Sequence, residues 1–290
     1  MHDSFFSDGD ATDAQYIAAR DNPRATPHRD YVEVLWRDFR PYADTSFRDD
    51  ARHRFHQRYW EMYLGATLLR KGFRLTKHGD NGPDFSFSLN GKRVWVEAVA
   101  PTSGTGPDRV PEIVFGVAQQ VPVEQILLRF TNALSEKRNR YVSALNKGLI
   151  SGTDAYVLAI NSRGIPHAPL GNMLPFYLQA FLPIGHLALS IDTRTKKVTD
   201  QFHQYRPSVA KTNQAPVSTR PFLDPSSSFC SLALHSAVDC ANYPQQMGQD
   251  FSVLHNPSAS VPIGTDVFTW CEQYQFDTDQ LHKMEPIAEA

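Results

Sequence analysis

Asp84 and Glu97 are the residues whose spacing points first to chemistry. Asn90-Gly91 sits between two alternating runs, 84–89 and 92–100. That dipeptide in that setting is the mark of a two-residue type I′ turn. With that turn Leu89 pairs with Lys92, and the register carries Asp84 opposite Glu97. Phe85, Phe87, Leu89, Val94 and Val96 then share an apolar face, while Asp84, Ser86, Ser88, Arg93, Trp95 and Glu97 share the other. Carboxylates directly opposed on a sheet have Cβ atoms about 4.5–5.5 Å apart and repel each other. A divalent cation is the natural group to offset that repulsion.

Several elements must position this hairpin. Residues 51–71 predict a helix, with Phe55, Tyr59, Met62, Ala66 and Leu69 as its core stripe and Gly72 as its end. Gln57, Glu61 and Gly65 form a neighbouring line, and Gly65 would let the helix approach the sheet closely. Asp49 or Asp50 would cap this helix. A strand over 73–78 and a turn over 79–83 lead into the hairpin. Residues 101–122 read as a long loop, with a short ordered piece near 113–119. A second helix over 122–147 carries the stripe Ile126, Phe130, Leu134, Tyr141 and Leu145, with Lys137 inside it. Residues 155–160 (AYVLAI) read as a buried central strand. Further on, a helix over 172–181, strands over 186–192, 229–235, 251–255 and 267–271, a polar loop over 206–228 and a polar tail beyond Asp277 are expected. Residues 1–30 read as a loosely docked polar arm with a short helix near 14–20, followed by a short helix over 31–39.

Composition bounds the rest. The 290 residues are 41% apolar and 21% charged, with a net charge of −2. These are globular values, and near-neutrality argues against bulk electrostatic binding of nucleic acid but not against a local basic groove. Cys230, Cys240 and Cys271 are few and far apart, which fits unpaired thiols in a reducing cytoplasm. No Cys/His spacing suits zinc, the start lacks the apolar core of a signal peptide, and no run reaches the roughly 18 apolar residues of a membrane span.

The order helix (Glu61), strand, hairpin (Asp84, Glu97), helix, strand resembles the PD-(D/E)xK, restriction-endonuclease-like nuclease superfamily over residues 53–160. Pro83-Asp84 matches the motif that opens its second strand, Glu97 matches its acid on the third, and Glu61 matches its helix acid. The resemblance implies an α/β fold with an αβββαβ core, a mixed central sheet flanked by helices and a C-terminal extension. It divides the chain into a lead-in (1–50), the core (51–160) and the extension (161–290). It implies Mg²⁺ or Mn²⁺ held by Asp84, Glu97 and Glu61, hydrolysis of phosphodiester bonds, DNA as the partner, and room for a homodimer. The motif lysine is missing, because Val99 stands in its place. Lys137 is the replacement candidate, since a lysine in a core-facing stripe needs an anionic partner or a path to solvent. Lys77 is the reserve, and Lys92 fits poorly.

Each residue also has a structural explanation. Asp84 would serve as a turn carboxylate, Glu97 as a strand acid paired with Arg93 or Arg74, and Lys137 as a surface lysine at the stripe edge. Arg129 would be an ion-pair residue or a phosphate contact. The basic first helix (Arg52, Arg54, Arg58, Arg70, Lys71, Arg74) would be a solvated face or would flank a phosphate backbone. His255-Asn256-Pro257 reads as a strand end and turn. Ser228 and Ser231 with His235 lack a nucleophile elbow. The alternative to a nuclease is a catalytically inactive nuclease-fold module that binds nucleic acid or protein, for which Val99 is the best argument.

Overall fold

Asn90 and Gly91 take φ of 50° and 77°, the left-handed pair a type I′ turn requires, and the central hairpin follows from them. The computed structural model describes residues 4–78, 82–170 and 174–287. Helices α1 (Ala14–Asp21), α2 (Thr26–Phe39), α3 (Phe47–Ala51) and α4 (Phe55–Arg70) come first. Strands β1 (Thr76–Lys77), β2 (Phe85–Leu89) and β3 (Lys92–Val99) follow, then α5 (Val123–Asn146), β4 (Ala155–Asn161) and α6 (Phe176–Phe181). The remainder is strand-rich: β5 (Ile184–Ile191), β6 (Val198–Tyr205), β7 (Ser208–Ala210), β8 (Pro216–Ser218), β9 (Leu232–Ser236), β10 (Ser252–His255), β11 (Glu272–Asp277) and β12 (Gln280–Met284).

Among the described residues the main sheet has eight strands in the order β1-β2-β3-β4-β9-β10-β11-β12. It is mixed: β2 and β3 are antiparallel, whereas β3–β4 and β4–β9 are parallel. The pairs run from Leu89↔Lys92 to Phe85↔Val96, the register the turn predicts. Helices cover both faces. Phe85, Phe87, Val94, Val96 and Val157 pack with the α1–α4 layer, and Leu158, Ile160 and Ala233 pack with α5 and α6. Burial on both faces explains why β4 is apolar at nearly every position.

The helical layer departs from expectation. Phe5 is fully buried among Tyr16, Trp36, Phe47 and Phe55, so the described part of the arm, from residue 4, is anchored and not loosely docked. Their polar composition hid a few aromatic anchors. α4 is buried on nearly every side, because α2 covers the flank that its stripe leaves over. Gly65 therefore faces α2 and not the sheet: a Cβ there would run into the Phe39 ring. The start of α4 is capped from afar, with the Phe55 amide donating to Asp13 Oδ2 at 3.0 Å, while Asp49 and Asp50 lie within α3.

Other differences are local. β1 keeps only two residues of the expected 73–78 strand, and no helix or strand forms over 113–119. The expected strand at 267–271 is a run of turns, while β6 and β12 form from polar sequence. Part of the expected 79–83 turn and the start of the expected 172–181 helix lie outside the described residues. No described helix is long and apolar enough to cross a membrane.

Candidate active site

The far end of the β2–β3 hairpin gathers the acids. Glu97 sits on the α5 side of β3 and is 4% exposed. Lys137 lies between Leu134 and Tyr141 on the buried stripe of α5, one turn from each. That stripe aims it at the sheet, and its Nζ donates to Glu97 Oε1. The lysine is buried and is not a surface residue. Arg140, one turn further along α5, brings Nη1 to 3.5 Å from the same oxygen, and the Tyr156 hydroxyl stands 3.4 Å from Oε2.

Asp84 lies one residue before the paired part of β2. It is half-buried, and its Oδ2 accepts from the Ala98 amide at 2.6 Å. Glu61 arrives from α4, buried, with Oε2 2.9 Å from Arg58 Nη1. Arg58 also reaches Asp44 at 3.1 Å and Asp50 at 2.5 Å. Glu61, Asp84 and Glu97 all line one cavity of about 300 Å³, with Arg58, Arg140 and Lys77 on its walls.

Burial and mutual repulsion displace the pKa values of two of the acids in this cavity. Burial pushes the Asp84 carboxyl well above its usual range. Glu61 and Glu97 push it further, against the pull of Lys137 and the Ala98 amide. Burial raises Glu61 to about 7, with Arg58 opposing and Asp44 and Glu97 adding to the rise. Clustered acids in a cleft whose pKa values are displaced by desolvation and by one another are candidates for a functional site.

The donors here are all oxygens, which suits a hard divalent cation. Among the described residues no group of three or more His, Cys, Asp or Glu side chains is spaced to hold a metal. Mg²⁺ seldom requires one: it is held by one or two carboxylates and completes its shell with water and substrate phosphate. Asp84 and Glu97 on the wall of an open cavity fit that pattern, with Glu61 in the same cavity but engaged by Arg58. The sequence assigned relief of the carboxylate repulsion to a metal. In the structure Lys137 and the Ala98 amide supply part of that relief.

The other sequence candidates are engaged by other partners or lie outside the cavity. Arg93 lies over the Trp95 ring at 5.2 Å, and Arg74 is exposed. Lys77 donates to the Ala43 carbonyl, so the reserve cation is turned to backbone. Arg129 donates to the Thr102 carbonyl at 2.9 Å, fixing the loop after β3. Arg52 and Arg70 pair with Asp49 and Asp38. The His255 ring nitrogens lie 3.1 Å from Ile263 O and 2.8 Å from Gln273 Oε1, and the single N–H of the neutral ring serves one of these two acceptors. Ser231 donates to Val261 O at 2.6 Å, while His235 pairs with Ser162 at 2.9 Å, so Ser231 and His235 do not meet. The sequence reading left Asp44, Arg58, Arg140 and Tyr156 out of the site. Arg58 and Arg140 were legible in principle, because each lies three residues from a site residue on the same helix face.

No family model, curated protein or solved structure matches this chain.

Proposed function

We propose that this protein is a metal-dependent nuclease that hydrolyses phosphodiester bonds in DNA, with a PD-(D/E)xK-like site whose lysine comes from α5. One observation carries the reading. Lys137, from an element outside the motif, is buried against Glu97 where Val99 leaves the motif without a cation. Val99 lies two residues beyond Glu97 on the same strand face, which is the side α5 covers. The order α4, β1, β2, β3, α5, β4 supports the same assignment.

In this reading Asp84 and Glu97 would hold the cation, and Glu61 stands as an outer carboxylate held by Arg58. A divalent cation held there would polarise the phosphodiester and lower the pKa of the attacking water. Lys137 offsets the negative charge that builds on the phosphoryl oxygens, and it does so from a fixed, dry position. The Ala98 amide holds the Asp84 carboxylate in register with Glu97.

The reading is tested by incubating the protein with supercoiled, linear and single-stranded DNA in Mg²⁺, Mn²⁺ or EDTA. Cleavage with metal that is lost in EDTA and in Asp84→Asn supports it. A specific observation favours a non-catalytic module: Lys137 and the Ala98 amide already compensate the two carboxylates. Absence of cleavage on all three substrates with either metal makes that module the better account.

A further inference from the structure

A second cavity of about 310 Å³ adjoins the carboxylate cavity. The two share Gly82, Pro83, Glu97 and Arg140, so Arg140 stands at the partition between them. The second cavity is walled by Tyr141 and Tyr156 and carries Lys147 at its edge. On α5, Arg140, Ser143, Ala144 and Lys147 recur at the i, i+3, i+4, i+7 spacing of one helix face. That face has a cation at each end and two small side chains between them, which leaves an open trough about 10 Å long at 1.5 Å per residue.

Arg140 is poised to change partners. Its side chain is 72% exposed, and its 3.5 Å approach to Glu97 is longer than a good charge-assisted hydrogen bond. Glu97 Oε1 already has the buried Lys137 as its partner. Lys147 is exposed in the last turn of this face. Among the described residues lining the second cavity, Glu97 at its inner end is the one carboxylate.

We propose that this face of α5 is a track for the sugar–phosphate backbone of DNA, with Arg140 holding a phosphate next to the carboxylates and Lys147 holding another further along. The proposal rests on the nuclease reading for the identity of the polymer, but it concerns binding alone. Phosphate contacts of this kind set the position of a strand without reading its sequence. Each releases counter-ions, so each adds roughly 0.9 to the slope of log K against log salt.

The test measures anisotropy of a short fluorescein-labelled DNA duplex in EDTA over a salt series, for the intact protein and three variants. Arg140→Ala and Lys147→Ala should each weaken binding evenly across sequences and each reduce the slope by about one. Lys147→Arg should keep the slope. Lys197→Ala, an exposed cation on the β5–β6 ribbon outside the cleft, should leave it unchanged. Unchanged slopes in the two track variants, an equal loss in Lys197→Ala, or no binding by the intact protein would each overturn the track. Should the slopes fall as expected while no metal supports cleavage, the nuclease reading fails and the track stands.

Discussion

The two halves of the main sheet bury their polar clusters differently. In the β9–β11 half His255, Gln273 and Asn256 form an uncharged cluster with backbone and side-chain partners. His255 lies between Ile263 O and Gln273, Gln273 donates to Thr265 O at 2.8 Å, and Asn256 donates to the Ser227 and Cys230 carbonyls. In the β2–β4 half four carboxylates, Asp44, Glu61, Asp84 and Glu97, line one cavity, and Asp84 and Glu61 have pKa values pushed upward. Buried polar residues are normally satisfied, so uncharged side chains held by backbone and side-chain partners describe architecture. Carboxylates crowded beside an opening, with pKa values raised by burial and by one another, mark the candidate site. The residue types alone do not separate the two, since His255-Asn256-Pro257 reads as chemically as Pro83-Asp84.

Breaking the pair at the centre of the charged half should have the largest effect on stability. Lys137→Met leaves Glu97 with only a long contact to Arg140 and one to Tyr156, and removing one member of a buried pair costs about 3–5 kcal/mol. Urea unfolding checks this, and Lys137→Met with Glu97→Gln should recover much of the loss. In the neutral half, His255→Ala should cost about 1–3 kcal/mol, the typical range for partners left unsatisfied. It should leave cleavage unchanged per folded molecule, and a selective loss of cleavage would blur the distinction between the halves.

The halves should also differ in pH response. Glu61 titrates near 4.5 when unfolded and at about 7 when folded. The folded state therefore holds more protons over that window, and stability should rise as pH falls from about 7 toward 4.5. Asp84, raised in the same direction, adds to this slope, so Glu61→Gln should reduce it in thermal melts taken without divalent metal, and Glu61→Gln with Asp84→Asn should reduce it further. A slope unchanged by Glu61→Gln would assign the effect to other groups. The smallest effect is expected at Asp84. Opposed like charges destabilise by up to roughly 1 kcal/mol, so Asp84→Asn should melt slightly higher than the intact protein in EDTA. Mg²⁺ should then raise the melting point of the intact protein and not that of Asp84→Asn.

The hairpin and its register were legible because a two-residue turn fixes every later pair, and Asn90-Gly91 names that turn. Lys137 was legible because it interrupts an apolar stripe. The helical layer under α4 was not, since its packing depends on Phe5, Trp36 and Phe39 meeting across long sequence separations. Nor was the cap of α4, supplied by Asp13. Arg58 sat in view as part of a basic helix. Only the fold brings Asp44 and Asp50 against it and turns a solvated cation into the partner of Glu61. β12 carries no apolar alternation and owes its place to pairing with β11.

The central claim is that Lys137 supplies the charge that Val99 cannot. Its most direct measurement is the rate of Mg²⁺-dependent DNA cleavage by the intact protein, by Lys137→Ala, and by Lys137→Ala carrying Val99→Lys, each assayed below its melting transition. Removing a charge-stabilising group typically lowers the rate by on the order of a hundredfold or more. Lys137→Ala should show that loss, and Val99→Lys should return part of it, because both positions face α5 beside Glu97. Lys137→Ala cleaving at the rate of the intact protein would contradict the account.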